Sequence, residues 1–173
     1  YPERGEMMTH KCPACGAETA ERFRLCDHCY DVYRRDSSQL LRDYYLRNGY
    51  FNDAGHYRQG VFLGDAHLAA RVISHGGDEQ GIKPTNLRKF FHKVKALEMH
   101  YLSQEERDFG HVQSRLMELI PQASYAVSRK LAPAAFNDFI EKNAQLAAKD
   151  EKHFKAFIRH FQAILAYYKE FYV

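Results

Sequence analysis

The sequence has no tryptophan, no cysteine after Cys29, and no long apolar run. No stretch approaches the roughly 18–20 apolar residues a membrane-spanning helix needs, so no membrane partner is expected. No charged, then apolar, then small-residue leader opens the chain, so no secretion signal is expected. The chain begins at Tyr1, with Met7-Met8 soon after. Residues 1–6 read as a remnant foreign to the fold or as the end of a disordered stretch. Catalytic signatures are also missing. Gly76-Gly77 and Gly81 lack the Lys-Ser/Thr of a phosphate-binding loop, and no nucleophile elbow is present. The ten histidines are scattered. His92 and His100, and likewise His153 and His160, share helix faces without ligand spacing, which reads as core-edge or surface histidine. Glu105-Glu106 reads as a surface acid cluster. The expectation is a protein that is not an enzyme.

What is present begins with size and apolar content. A chain of 173 residues, 45% hydrophobic, with 12 Phe and 12 Tyr, can bury a real core. That length suits one domain, or one domain with a small appendage.

All four cysteines fall near the front, as Cys12-Pro13-Ala14-Cys15-Gly16, ten further residues counted from Gly16, then Cys26-Asp27-His28-Cys29. Two residues between paired cysteines let both thiolates reach one ion from a single knuckle. Pro13 pre-sets the turn, and Gly16 lets the backbone fold back toward sulfur. Two knuckles supply four ligands, the closed set of a structural zinc site. Cys12, Cys15, Cys26 and Cys29 are therefore the expected ligands of Zn2+, with rubredoxin-like iron, two disulfides or free buried thiols as alternatives. A disulfide framework would normally spread its cysteines through the fold, so the clustering points to metal in a reducing cytoplasm. The gap is shorter than the common spacing of about 15–20, which suits a compact zinc ribbon or treble-clef-like finger. Residues 1–30 carry Arg4, Lys11, Arg22 and Arg24 against Glu3, Glu6, Glu18, Glu21 and Asp27. A near-neutral finger reads first as a folding staple or docking module.

From Tyr30 onward the periodicity is helical. Helices are predicted over 30–47 and 62–74, with a turn-rich connector from Asn48 to Gly60 and a glycine-rich, mobile loop from Ser74 to Pro84. Leu87, Phe90, Phe91, Val94, Leu97 and Tyr101 follow a helix start at Pro84-Thr85-Asn86, with Thr85 the expected cap. Residues 104–120 continue, Pro121 and Pro133 each restart the chain, and 151–172 closes it with Phe154, Phe157, Phe161, Ile164 and Tyr168. The fold class is all-α: a bundle of five to six helices over 31–173 behind a finger over 1–30.

The net charge of +3 decides no partner, but its distribution is informative. Lys83 to Leu97 holds Lys83, Arg88, Lys89, Lys93 and Lys95 with no acid. Lys89 and Lys93 share a face one turn apart, away from the stripe of Phe90 and Val94. Arg129-Lys130 forms a second basic pair, and Lys152, Lys155 and Arg159 a third set. Such a face suits phosphate tracking, or a solvated helix surface with Arg129-Lys130 complementing a helix C-terminus.

Several segments carry a resemblance. Asn48-Gly49-Tyr50-Phe51-Asn52-Asp53-Ala54-Gly55, Asp65-Ala66-His67-Leu68-Ala69-Ala70 and Thr85-Asn86-Leu87-Arg88-Lys89-Phe90-Phe91 come first. Ser124-Tyr125-Ala126-Val127-Ser128-Arg129 and the run from Phe154 to Lys169 follow in order. Together, from about residue 44 to the end, they resemble the small subunit of type III-A CRISPR (Csm) effector complexes. The finger departs from that family's pattern.

The resemblance implies a non-catalytic helical bundle that stacks, copy on copy, beside the backbone and large subunits of a ribonucleoprotein. It implies contact with a guide RNA–target RNA duplex through phosphates and sugars, in antiviral defence. The basic residues within matching motifs are Arg88, Lys89 and Arg129, with Lys93 and Lys130 beside them. These five are the expected RNA-binding residues. The competing reading is a zinc-finger DNA-binding transcriptional regulator with helix 85–101 in a groove.

Overall fold

The computed structural model describes residues 10–76 and 79–172. The front segment 1–6 and part of the predicted mobile loop, Gly77 and Asp78, lie outside the described residues.

Two short strands, β1 (His10–Lys11) and β2 (Glu18–Thr19), pair antiparallel around the first cysteine knuckle. Helix α1 (Asp27–Asp43) starts inside the second knuckle, earlier than the spacing predicts, because Cys26 is its N-cap. The helix kinks at Asp36, whose φ/ψ of −156°/89° is not helical. A connector then leads to α2 (Gly64–Ser74). Two two-residue strands, β3 (His75–Gly76) and β4 (Glu79–Gln80), pair within the predicted loop. Then come α3 (Pro84–Ser103), α4 (Phe109–Ser128), α5 (Ala135–Ala147) and α6 (Glu151–Phe171). The described residues thus hold six α-helices and no sheet larger than a two-stranded pair.

Two boundary expectations need correction. Lys83, not Thr85, caps α3, and Pro84 takes the first helical position, where its missing N–H costs nothing. Pro121 does not restart the chain; it lies inside α4. The carbonyl it deprives of a partner is that of Met117, one turn earlier. Met117 and Pro121 are both on the exposed side, where water can serve that carbonyl.

α2 packs on α6, α4 on α5, and α5 on both α6 and α1. α2 is buried almost all round, from Asp65 to Ala70 and again from Val72 to Ser74. Small residues make that possible: Ala66, Ala69 and Ala70 let neighbouring helices close in. The aromatic centre is Phe136, Phe139, Phe157 and Phe161, all fully buried. Phe90 meets Phe136 edge-on at 4.8 Å, and Phe139 meets Phe161 edge-on at 5.5 Å.

His160 departs from the surface or core-edge reading. It is fully buried in a polar chain at the heart of the bundle. Its Nδ1 lies 2.5 Å from the Val61 carbonyl, which can only accept, so Nδ1 carries the proton. Nε2 is then free to accept from the Tyr45 hydroxyl at 2.6 Å. Asn143 Nδ2 donates to the Tyr45 oxygen at 2.9 Å, and Tyr50 donates to Asn143 Oδ1 at 2.6 Å. The network joins both ends of the connector between α1 and α2 to α5 and α6, and the polar atoms named here all find partners. His153, by contrast, stays nearer the surface beside Asp150.

Candidate metal centre and nucleic-acid interface

The first knuckle is closed by backbone. Cys12 N–H donates to Ala17 O at 2.7 Å, and Gly16 N–H to Cys12 O at 3.0 Å. Gly16 takes a left-handed φ of 82°, which a side chain would disfavour. The second knuckle enters α1, with the Cys29 amide 3.5 Å from Cys26 Sγ. All four Sγ atoms lie within 4.8 Å of one another. Cys15 and Cys26 Sγ are 3.6 Å apart, and no cysteine is in a disulfide. Four sulfurs each about 2.3 Å from one ion would stand roughly 3.8 Å apart in a tetrahedron, so the donor set fits a metal ion. Burial pushes the Cys29 and Cys15 thiols up, and the neighbouring thiol hydrogen bonds reinforce this at Cys29. At Cys12 burial acts the same way, but amides of Cys26, Cys15 and Ala14 outweigh it and hold the thiol below its ordinary value.

The cysteine module is seated on the bundle. Cys12, Leu25 and Cys29 belong to the same buried cluster as α2 and α6. Phe23 adopts a left-handed φ of 63°. Its ring stacks on His67 of α2 at 4.3 Å and meets Tyr167 of α6 edge-on at 5.4 Å. Left-handed backbone at a non-glycine residue costs roughly 1–2 kcal/mol, which the stacking offsets. His67 is buried, and its Nδ1 has no partner among the described residues. Burial, helped by Arg71 and Arg22, lowers its pKa to about 4.

The predicted basic residues divide between two surfaces. Lys89 and Lys93 border a groove of about 470 Å³ between α3 and α4, with Asn86, Phe90, Tyr125 and Leu131 along it. Lys93 Nζ donates to Gln122 of α4 at 2.7 Å and lies 5.2 Å from the Phe90 ring centre. The pair therefore flanks Phe90 rather than facing away from it. Tyr125, which lines the groove, is 60% exposed, and Arg129 donates to its hydroxyl at 2.9 Å from outside the lining. Arg88 lies apart, in a separate groove between α3 and α6 with Lys169 and Tyr172. Lys130 is exposed and does not line either groove. Its left-handed φ of 59° and the bond from Leu131 N–H to Ala126 O show that it ends α4. Tyr125 is not among the residues expected from sequence to bind RNA; an exposed tyrosine at helical spacing is indistinguishable there from a core tyrosine.

Lys95 is paired with Glu98 at 2.9 Å. Lys152 donates to Gly55 O, and Arg159 lies over Tyr57, so both pack on the connector.

Fold and surface together define a small all-helical protein with an N-terminal four-cysteine centre and cation-edged grooves between its helices. Residues 65–172, more than half of the chain, match the family model of Csm2, type III-A, and the chain belongs to that family. The match begins at Asp65, so the Asn48–Gly55 segment and the cysteine module precede it. No curated protein and no solved structure matches the chain.

Proposed function

We propose that this chain is the non-catalytic small subunit of a type III-A CRISPR ribonucleoprotein, and that it grips the guide RNA–target RNA duplex by its sugar-phosphate backbone. Membership of the Csm2 family supports the setting: a complex with backbone and large subunits, in which copies of this chain stack. The observation that carries the RNA reading is the α3–α4 groove, lined by Lys89, Lys93 and exposed Tyr125, with Arg129 bonded to the Tyr125 hydroxyl. Cations on a helical surface, without a base-reading element, suit contacts that position a duplex while pairing supplies sequence choice. Arg88 adds a cation in the separate α3–α6 groove, and Lys130 adds charge at the end of α4.

The described part of the 1–30 segment, from His10 onward, forms a zinc finger in this reading, with Zn2+ held by Cys12, Cys15, Cys26 and Cys29. Its part is structural: it orders the entry to α1 and docks on α2 and α6.

The test is titration of a short RNA duplex over a range of salt. Changing Lys89, Lys93 and Arg129 together to Ala is expected to weaken binding and to flatten the salt dependence, by about one unit of slope for each phosphate left without its cation. Unchanged affinity and slope would refute the RNA reading. Tighter binding to one DNA duplex than to RNA would favour the DNA-regulator reading instead.

A further inference from the structure

The cysteine module is near-neutral in sequence, but folding sorts its charges. Between it and the bundle lies a cleft of about 720 Å³. Lys11 and Arg22 line it from the finger side, Arg47 and Arg58 from the bundle side. The acids Glu18, Glu21 and Asp27 do not line it. The one carboxylate at the cleft, Asp65, is already engaged by Arg58 at 3.0 Å and by the Leu46 amide at 3.3 Å. Lys11, Arg22 and Arg47 are exposed, and among the described residues none of them is in an ion pair. Arg22 lies over the Phe23 ring at 4.5 Å, which fixes its guanidinium at the cleft. The first turn of α2 opens on the same space with no side-chain cap at Leu63, so its dipole adds potential of the same sign.

We propose that this cleft is a second RNA-backbone site, in which Lys11 and Arg22 of the finger and Arg47 of the bundle hold phosphates. The finger thus lengthens the grip on nucleic acid as well as stapling the fold. An acidic protein surface could also meet these cations, and the experiment below distinguishes it from RNA. Three cations without a carboxylate partner stand on two facing walls of the cleft, beside the Arg58–Asp65 pair and Cys12 and Cys15 of the metal centre, and such an arrangement suits successive phosphates of a backbone. The proposal rests on the RNA-binding reading above and extends it to residues outside the matched family span.

The experiment compares three proteins with the parent: Lys11→Ala/Arg22→Ala/Arg47→Ala, Arg47→Ala alone, and Lys89→Ala/Lys93→Ala/Arg129→Ala. Each is titrated with a fluorescent RNA duplex at several salt concentrations, with bound metal and melting temperature measured in parallel. The cleft triple variant is expected to lose about tenfold or more in affinity at low salt and about three units of salt slope. Arg47→Ala, away from the cysteine module, is expected to show about one third of that slope change with metal and melting unaltered. If only the α3–α4 variant weakens binding, the cleft proposal is wrong and the RNA reading stands. If neither weakens it, both fall. If the cleft variants keep RNA affinity but are no longer captured by the other effector subunits, the cleft is a protein-docking site and the proposal is overturned. Should the triple variant lose metal, the single Arg47→Ala result decides.

Discussion

The hydroxyl of Tyr45 lies 2.6 Å from Nε2 of His160, in a place water does not reach. Each partner specifies the other. His160 must be neutral with its proton on Nδ1, and Tyr45 must donate. Asn143 then has a single way to face them, because its amide nitrogen meets both the Tyr45 oxygen and the Phe139 carbonyl. The connector, α5 and α6 are locked into one register by this chain of donors and acceptors.

Removing the Tyr45 hydroxyl by Tyr45→Phe leaves His160 Nε2 and one Asn143 hydrogen without partners. Each buried, unsatisfied group costs about 1–3 kcal/mol. The expected outcome is a drop of several kcal/mol in urea unfolding, with an unchanged denaturant slope. A drop below about half a kcal/mol would show that the network is not closed as described.

The same burial predicts a pH dependence. Burial lowers the pKa of His160 to about 4, and that of His67 to about 4 with help from Arg71 and Arg22. Both lie below the unfolded value of about 6.5. Between those limits the unfolded chain binds protons that the folded chain refuses, so stability falls as pH drops from about 6.5 toward 4. His160 alone accounts for on the order of 3 kcal/mol by pH 4. Unfolding midpoints measured from about pH 7.5 downward, with metal retention followed alongside, check this. His160→Gln is expected to be less stable near neutral pH and to show a shallower decline.

Metal removal tests the cysteine centre. Elemental analysis of the purified protein is expected to give one zinc per chain, and Cys26→Ser is expected to abolish it. Structural zinc contributes on the order of 10 kcal/mol to isolated finger peptides, so chelation should release the packing of Cys12, Leu25 and Phe23. Hydrogen exchange should then rise in residues 10–30 while α4 and α5 remain protected. A protein without stoichiometric metal and with unchanged exchange would refute a metal site.

Two backbone positions make opposite predictions. A Cβ at Gly81 would sit 1.8 Å from the Ser74 carbonyl oxygen, where Ile82 N–H already binds Ile73 O. Gly81→Ala must therefore push β4 away from the end of α2, and should cost well over about 1 kcal/mol. Lys130 holds a left-handed conformation with a side chain present. Lys130→Gly should raise stability by up to about 1 kcal/mol. Thermal melts of the two single variants, moving in opposite directions, would verify both.

Much of the bundle is legible in sequence because helical periodicity is a local property. Phe154, Phe157, Phe161 and Tyr168 repeat at the steps that put them on one buried face, and α6 forms over nearly the predicted span. The cysteine pairs are legible for the same reason: ligand spacing within a knuckle is set by a few residues. Pro121 misleads because a proline carries the same local signal at a helix start and on a helix's wet side. Only the packing of α4, which leaves Pro121 exposed, distinguishes them. The burial of His160 is invisible in sequence because its partners Tyr45 and Val61 lie 115 and 99 residues away in the chain.

Sequence by itself determined the helices, the four-cysteine centre and the family, all of which rest on short-range patterns. Tertiary structure decided which charges share a surface. Arg88 and Lys89 are neighbours in the chain yet serve different grooves, since successive helical residues point about 100° apart. Lys11 and Arg47 are distant in the chain yet line one cleft, because the cysteine module folds back onto the start of α2. Electrostatic potential adds over space rather than along the chain, so only the packed molecule reveals it.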